Sequence, residues 1–151
     1  MKKRSLKPTF TSMQVIGMPL NNLRILVVDD NEYVAESLVM LLEIDGHQVM
    51  AAPDGRTAIE MALAELPEVI LLDIGLPGMN GYSVAKVLRH SSQLQNTLLL
   101  ALTGYGLPDD LEKSRRAGFD KHLVKPIDYA TLRQLLVDYQ TSLASGFQVR
   151  K

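Results

Sequence analysis

The sequence predicts an α/β domain: a doubly wound, five-stranded parallel sheet with helices on both faces. Three observations lead there. Five short strand-like segments, three of them apolar runs, alternate with five longer segments of helical character, which is the pattern of βαβ units. The run Thr97–Leu102 is almost wholly apolar, as a strand buried on both faces must be. Four of the segments end in a charged or hydroxylic residue, as expected where parallel strands open at the edge that carries the site.

The first run, Leu23–Val28, ends in the doublet Asp29-Asp30. Asn31 then caps a helix with the apolar face Val34, Leu38, Leu41 and Leu42, and Gly46 stops it as a C′ glycine. His47–Ala51 is the second strand. Asp54 caps a helix carrying Ala58, Met61, Ala62 and Glu65, with Ile59, Leu63 and Leu66 alongside, and Pro67 ends it. Val69–Leu72 is the third strand and runs into Asp73. Gly75, Pro77, Gly78, Asn80 and Gly81 break regular structure after it. Tyr82–His90 forms the third helix and Thr97–Leu102 the fourth strand. Pro108 to Ala117 reads as a polar helix stopped by Gly118. Phe119–Val124 is the fifth strand. Asp128 caps a last helix with Leu132, Leu135, Leu136, Tyr139 and Leu143 on one face. The expected organisation is a flexible tail over 1–22, one domain over 23–143 and a short tail over 144–151. An amphipathic helix using Phe10, Met13 and Ile16 is the alternative for the first segment.

Bulk properties exclude several classes. The chain has 151 residues, 46% apolar and 22% charged, so it can bury one substantial core. Its formal net charge of −1 gives no general attraction to nucleic acid or to a membrane surface. No stretch is long enough to span a bilayer as an apolar helix. Lys2, Lys3, Arg4 and Lys7 are not followed by an apolar core, so no signal peptide is read. There are no cysteines, which removes disulfides and thiolate metal sites and fits a cytoplasmic location. His47, His90 and His122 lie far apart, without metal-ligand spacing.

The chemistry resides at the strand ends. A single acid after a strand is commonly a cap, but Asp29, Asp30 and Asp73 would emerge together and repel one another unless a cation sits among them. Oxygen ligands without His or Cys suit a hard divalent ion such as Mg²⁺, with Mn²⁺ a substitute. The fourth strand ends in Thr103-Gly104 and the fifth in Lys125-Pro126. Three acids, a hydroxyl and an ammonium suit phosphoryl transfer, and a carboxylate can itself take the group. Asp73 is the best acceptor, since it stands alone on its strand while Asp29 and Asp30 can share the metal.

Asp29-Asp30, then Asp73 with Leu76-Pro77-Gly78-Met79-Asn80-Gly81, then Ala101-Leu102-Thr103-Gly104, then Lys125-Pro126, together resemble the receiver domain of two-component response regulators. The resemblance covers about Leu23 to Leu143 and implies a flavodoxin-like fold of strand order 2-1-3-4-5. It implies that Asp73 accepts a phosphoryl group from a histidine kinase or histidine phosphotransfer protein. Asp29, Asp30, Asp73 and the backbone carbonyl of Gly75 would hold Mg²⁺. Thr103 and Lys125 would contact the phosphoryl oxygens, and a downstream protein would read the switched surface. It also implies a signalling protein rather than an enzyme, either a monomer or a phosphorylation-dependent homodimer. Neither a DNA-binding module nor a membrane element is expected, and the chain could be a stand-alone receiver or part of a hybrid kinase. Three positions depart from the family pattern. His122 stands at the aromatic switch position, Gly75 offers only backbone two residues after the acceptor, and Tyr105 places a bulky ring beside the site. That ring is expected either to shield the phosphorylated state or to face solvent or a partner. The competing readings are a flavodoxin-like cofactor binder, an aspartyl phosphatase and a degenerate interaction module.

Overall fold

The computed structural model describes residues 22–104 and 108–144. Tyr105 and nearly all of both expected tails lie outside the described residues. The sheet is five-stranded and parallel: β1 (Arg24–Val28), β2 (Gln48–Ala52), β3 (Val69–Asp73), β4 (Leu98–Thr103) and β5 (Lys121–Val124), in the order β2-β1-β3-β4-β5. The helices between them are α1 (Glu32–Ile44), α2 (Gly55–Glu65), α3 (Gly81–Arg89) and α4 (Pro108–Ala117), with α5 (Tyr129–Ala144) last. A short 3₁₀ turn, Ser92–Leu94, precedes β4. This is the flavodoxin-like α/β fold that the strand and helix pattern predicts.

Every residue of β3 and β4 is buried, so alternate side chains feed two cores. On one face Leu26, Val28, Ile70, Leu72, Leu99 and Ala101 pack beneath α2, α3 and α4. On the other, Ile25, Val27, Leu71, Leu100 and Leu102 pack against α1 and α5 through Leu38, Leu42, Leu132 and Leu136. Burying one such side chain contributes about 1.5–3 kcal/mol, and this term dominates the fold's stability.

Most helix ends follow the expected chemistry. Asn31 Oδ1 accepts from the amides of Tyr33 and Val34, and Asp54 Oδ1 from that of Thr57. Gly46 adopts φ +97°, the left-handed C′ conformation expected of it. Two details differ. α2 is closed by Leu66 in the left-handed region rather than directly by Pro67. Leu41 and Leu143, expected on core faces, are exposed. Each sits at the margin of an apolar arc, where periodicity does not define which flank turns inward.

His47 is buried at the foot of β2, and its Nδ1 accepts the backbone N–H of Leu23 at 3.1 Å. That bond requires Nδ1 to be unprotonated. Burial holds the imidazole pKa below its usual 6.5, against the opposing pull of the Asp45 carboxylate. Below about pH 6.5 the unfolded chain therefore binds more protons than the folded one, and stability must fall as pH falls. His47→Asn keeps an acceptor near the same place without titrating. Urea melts at about pH 7.5 and about pH 5.5 should show a smaller loss of midpoint in the variant than in the parent chain. Equal losses would remove His47 from the account.

The strand-end site

Parallel register brings the strand ends to one level. Val28 pairs with Leu72, so Asp29 and Asp73, one residue further on each strand, stand side by side. Asp73 pairs with Leu102, and Thr103 pairs with Val124, so Thr103 and Lys125 follow one step beyond. The strand order reverses direction between β1 and β3, which opens a crevice where their carboxyl ends diverge.

Carboxylate oxygens of Asp29, Asp30 and Asp73 all lie within 4.8 Å of one another. Asp29 and Asp73 are buried and Asp30 is exposed. The backbone orients the two buried acids. The Asn31 N–H donates to Asp29 Oδ1 at 2.9 Å, and the Gly75 N–H donates to Asp73 Oδ1 at 2.9 Å. Gly75 is itself exposed, and its amide is what it turns to the acceptor.

The remaining oxygens face one cation. Lys125 Nζ donates to Asp29 Oδ2 at 2.8 Å and lies 3.3 Å from Asp73 Oδ2. Burial alone would lower the ammonium pKa. The bond to Asp29 and the charges of Asp29 and Asp73 outweigh that and hold it above the ordinary lysine value. Lys125 is thus fully charged at neutral pH and offsets part of the repulsion between the two buried acids. Its own backbone N–H donates to the Thr103 carbonyl at 2.7 Å, which ties the lysine to the end of β4, and the Lys125–Pro126 peptide is cis. Thr103 is buried at the rim of the same crevice. His122 lies lower on β5, half-buried and paired with Ala101.

The structure therefore brings together Asp29, Asp30, Asp73, Thr103 and Lys125, with Gly75 beside the acceptor. His122 is held three residues from Lys125, away from the carboxylates. The direct Lys125–Asp29 contact was not foreseen, because sequence spacing shows which strand ends meet but not which atoms.

One further positioning residue reads in the sequence only as a loop breaker. A Cβ on Gly81 would stand 2.5 Å from the Asp73 carbonyl oxygen and 2.6 Å from Ile74 Cα. The first turn of α3 therefore presses directly on the backbone that carries Asp73, and only glycine allows that approach. The signal available was a glycine placed immediately after the Asn80 cap.

An all-oxygen set of three carboxylates, partly neutralised by one amine, fits a hard divalent cation and offers nothing to a soft one. Backbone N–H donors and an ammonium around the Asp73 carboxylate are also the groups that can stabilise charge gathering on a transferring phosphoryl group.

Comparison with known proteins agrees with this geometry. Residues 25–137 match the response regulator receiver domain family. The chain is 34% identical over 109 residues to the protein PilH of Pseudomonas aeruginosa, covering 72% of this chain and 90% of that one. Among solved structures it resembles the chemotaxis protein CheY4 of Vibrio cholerae, with a TM-score of 0.73 and 31% identity, over 76% of this chain and 96% of that one. It also resembles the receiver domain of a sensor histidine kinase of P. aeruginosa, a structure with a magnesium ion coordinated in its active-site cleft. There the TM-score is 0.74 and the identity 30%, over 80% of this chain and 99% of the other.

Proposed function

The chain belongs to the response regulator receiver family, and on that premise we propose that it is a phosphoacceptor in a two-component phosphorelay, with Asp73 the residue that takes the phosphoryl group. The observation that carries the proposal is the convergence of Lys125 Nζ on Asp29 Oδ2 and Asp73 Oδ2 at the strand ends. An aspartyl phosphatase would place its nucleophile after the first strand; here the buried acid after β1 is occupied by Lys125 and Asn31.

In this reading Asp73 Oδ2 attacks phosphorus in line. The bond from phosphorus to the donor atom breaks, and its electron pair leaves with the donor, whether acetate or an imidazole. The Gly75 N–H holds Oδ1, which leaves Oδ2 directed toward the crevice. Lys125 exchanges its contact with Asp73 for a phosphoryl oxygen while retaining Asp29, and the Thr103 hydroxyl donates to a second oxygen. Asp29, Asp30, Asp73 and the Gly75 carbonyl would hold Mg²⁺. When bound, the ion neutralises charge on the phosphoryl oxygens. The donor is a histidine kinase or a histidine phosphotransfer protein, and the chain serves as a signalling acceptor rather than a turnover enzyme. Its receiver-type relatives support this reading. Incubation with acetyl phosphate tests the proposal by intact mass. One phosphoryl group per chain is expected with Mg²⁺ and none with a chelator; labelling indifferent to Mg²⁺ would reject the metal's role.

Asp30 is the exposed member of the acidic set, so its loss should affect ion binding more than folding. Asp30→Ala is expected to weaken Mg²⁺ binding by more than about tenfold, or ~1.4 kcal/mol. Without the ion the variant should be at least as stable as the parent, because one of three mutually repelling charges is gone. Thermal melts with and without Mg²⁺ measure both effects. An undiminished Mg²⁺-induced shift would remove Asp30 from the ligand set.

The partner-facing change is assigned to α4, β5 and α5. Lys125 ends β5, and its N–H is bonded to Thr103 at the end of β4, so moving its ammonium loads both strands at once. His122 lies on this path. Amide exchange with and without beryllofluoride should differ most between Thr103 and Tyr129. Differences confined to α1 and α2 would contradict this assignment.

A further inference from the structure

The corner between β2 and α2 supplies no side chain to the strand-end site, yet it touches the backbone next to both buried acids. The Asp29 N–H donates to the Ala52 carbonyl at 3.2 Å, so the last residue of β2 holds the residue that follows β1. Asp54 Oδ1 accepts the Thr57 N–H at 2.8 Å and fixes where α2 begins. Gly55, the first residue of that helix, is buried. A Cβ there would stand 2.7 Å from Val84 Cγ2 on α3, 3.1 Å from the Met79 carbonyl oxygen and 3.3 Å from Met79 Cβ. The start of α2 therefore lies directly against the loop that follows Asp73.

That loop is closed on itself. The Gly81 N–H donates to the Ile74 carbonyl at 3.0 Å, and Leu76 is buried in the core. Within it the Gly75 N–H holds Asp73 Oδ1 at 2.9 Å. Close-packed groups transmit a displacement rather than absorb it, so a push on the Met79 backbone reaches Gly75.

We propose that Gly55 is a positioning residue for the divalent-ion site: its lack of a side chain lets α2 seat the 74–81 loop so that Gly75 stays registered on Asp73. This inference rests on the reading of the strand ends as an ion-dependent phosphoacceptor site, and it adds a residue from an element that carries no ligand. Outer groups that orient metal ligands govern affinity strongly, although they never touch the ion. A glycine serving only the packing of α2 on α3 would act through Val84 alone. The Met79 carbonyl contact is what separates the two roles.

Isothermal titration of Mg²⁺ into the full chain measures the effect without any phosphodonor. Gly55→Ala should weaken Mg²⁺ binding about tenfold. The Gly75 amide resonance should already be displaced in the ion-free variant. Val84→Ala opens the same contact without loading the loop, so it should lower the urea midpoint and leave Mg²⁺ affinity unchanged. Gly55→Ala placed on Val84→Ala has room where Cγ2 stood, but its Cβ still meets the Met79 carbonyl. It should bind Mg²⁺ about tenfold more weakly than Val84→Ala alone, and this comparison stands even should the single Gly55→Ala chain unfold. Unchanged affinity on adding the methyl, or equal weakening by Val84→Ala, overturns the proposal. A parent chain that binds no Mg²⁺ overturns the site reading and this inference together. A parent that binds, with Gly55→Ala binding equally well, overturns this inference alone.

Discussion

Asp73→Asn is expected to take up no phosphoryl group from acetyl phosphate or from a cognate kinase, while remaining folded. The amide keeps an oxygen for the Gly75 N–H at the Oδ1 position but puts a weak nucleophile where the carboxylate oxygen stood, 3.3 Å from Lys125 Nζ. It also removes one of the two negative charges that hold the Lys125 pKa up, and leaves the ammonium to Asp29 alone. The variant should therefore lose acceptance entirely rather than lose part of its rate. Stoichiometric labelling of Asp73→Asn, by intact mass, would show that another group accepts.

The second large effect lies at the opposite end of the sheet. The Arg89 guanidinium, at the C-terminus of α3, is 2.9 Å from Asp120 Oδ2, with both side chains nearly buried. It also donates to the carbonyls of Gly118, Leu94 and Thr97 at 2.9 Å each. Asp120 Oδ2 in turn accepts from the Leu99 N–H. One side chain thus joins α3, the 3₁₀ turn, the start of β4 and the approach to β5. Arg89→Ala strands a buried carboxylate and several carbonyls, and breaking such a pair from one side costs about 3–5 kcal/mol. That is a large share of the ~5–15 kcal/mol typical of a domain. Arg89→Lys should recover little, because a single ammonium cannot span the fork of acceptors. Asp120→Asn placed on Arg89→Ala should recover part, because no charge is then buried alone. Urea unfolding measures all three. A loss under about 1 kcal/mol for Arg89→Ala would show that water replaces the guanidinium at little cost.

The two ends of the sheet differed in how far they could be read from the sequence, for a physical reason. Strand-end chemistry is legible because parallel strands convert sequence position into height: a residue that follows an apolar run must emerge at the edge, so Asp29, Asp73, Thr103 and Lys125 meet whatever the loops do. The Arg89 network obeys no such rule. An arginine in the last turn of a helix reads as a favourable terminal charge, and Asp120 lies 31 residues further on with no local signal of pairing. The margins of the helices were also ambiguous. α1 is apolar around much of its circumference, so its period alone did not separate Leu42, fully buried, from Leu41, exposed. β5 proved shorter than the expected Phe119–Val124 because Gly118, at φ +109°, turns the chain before Lys121, and Phe119 packs into the core from that turn. The role of Gly81 was hidden for a different reason: close approach is a property of what lies opposite, which the residue's own neighbours in sequence do not reveal.

The central claim is that the Asp73 carboxylate, held between the Gly75 amide and the Lys125 ammonium, is the phosphoacceptor. Locating the phosphoryl group on the wild-type chain tests it most directly. After reaction with acetyl phosphate and Mg²⁺, the acyl phosphate is reduced with borohydride, which converts the modified aspartate to homoserine, and the peptides are sequenced by tandem mass spectrometry. The account predicts homoserine at position 73 and at no other aspartate. Modification at Asp29, Asp30 or a histidine, with position 73 unchanged, would contradict it.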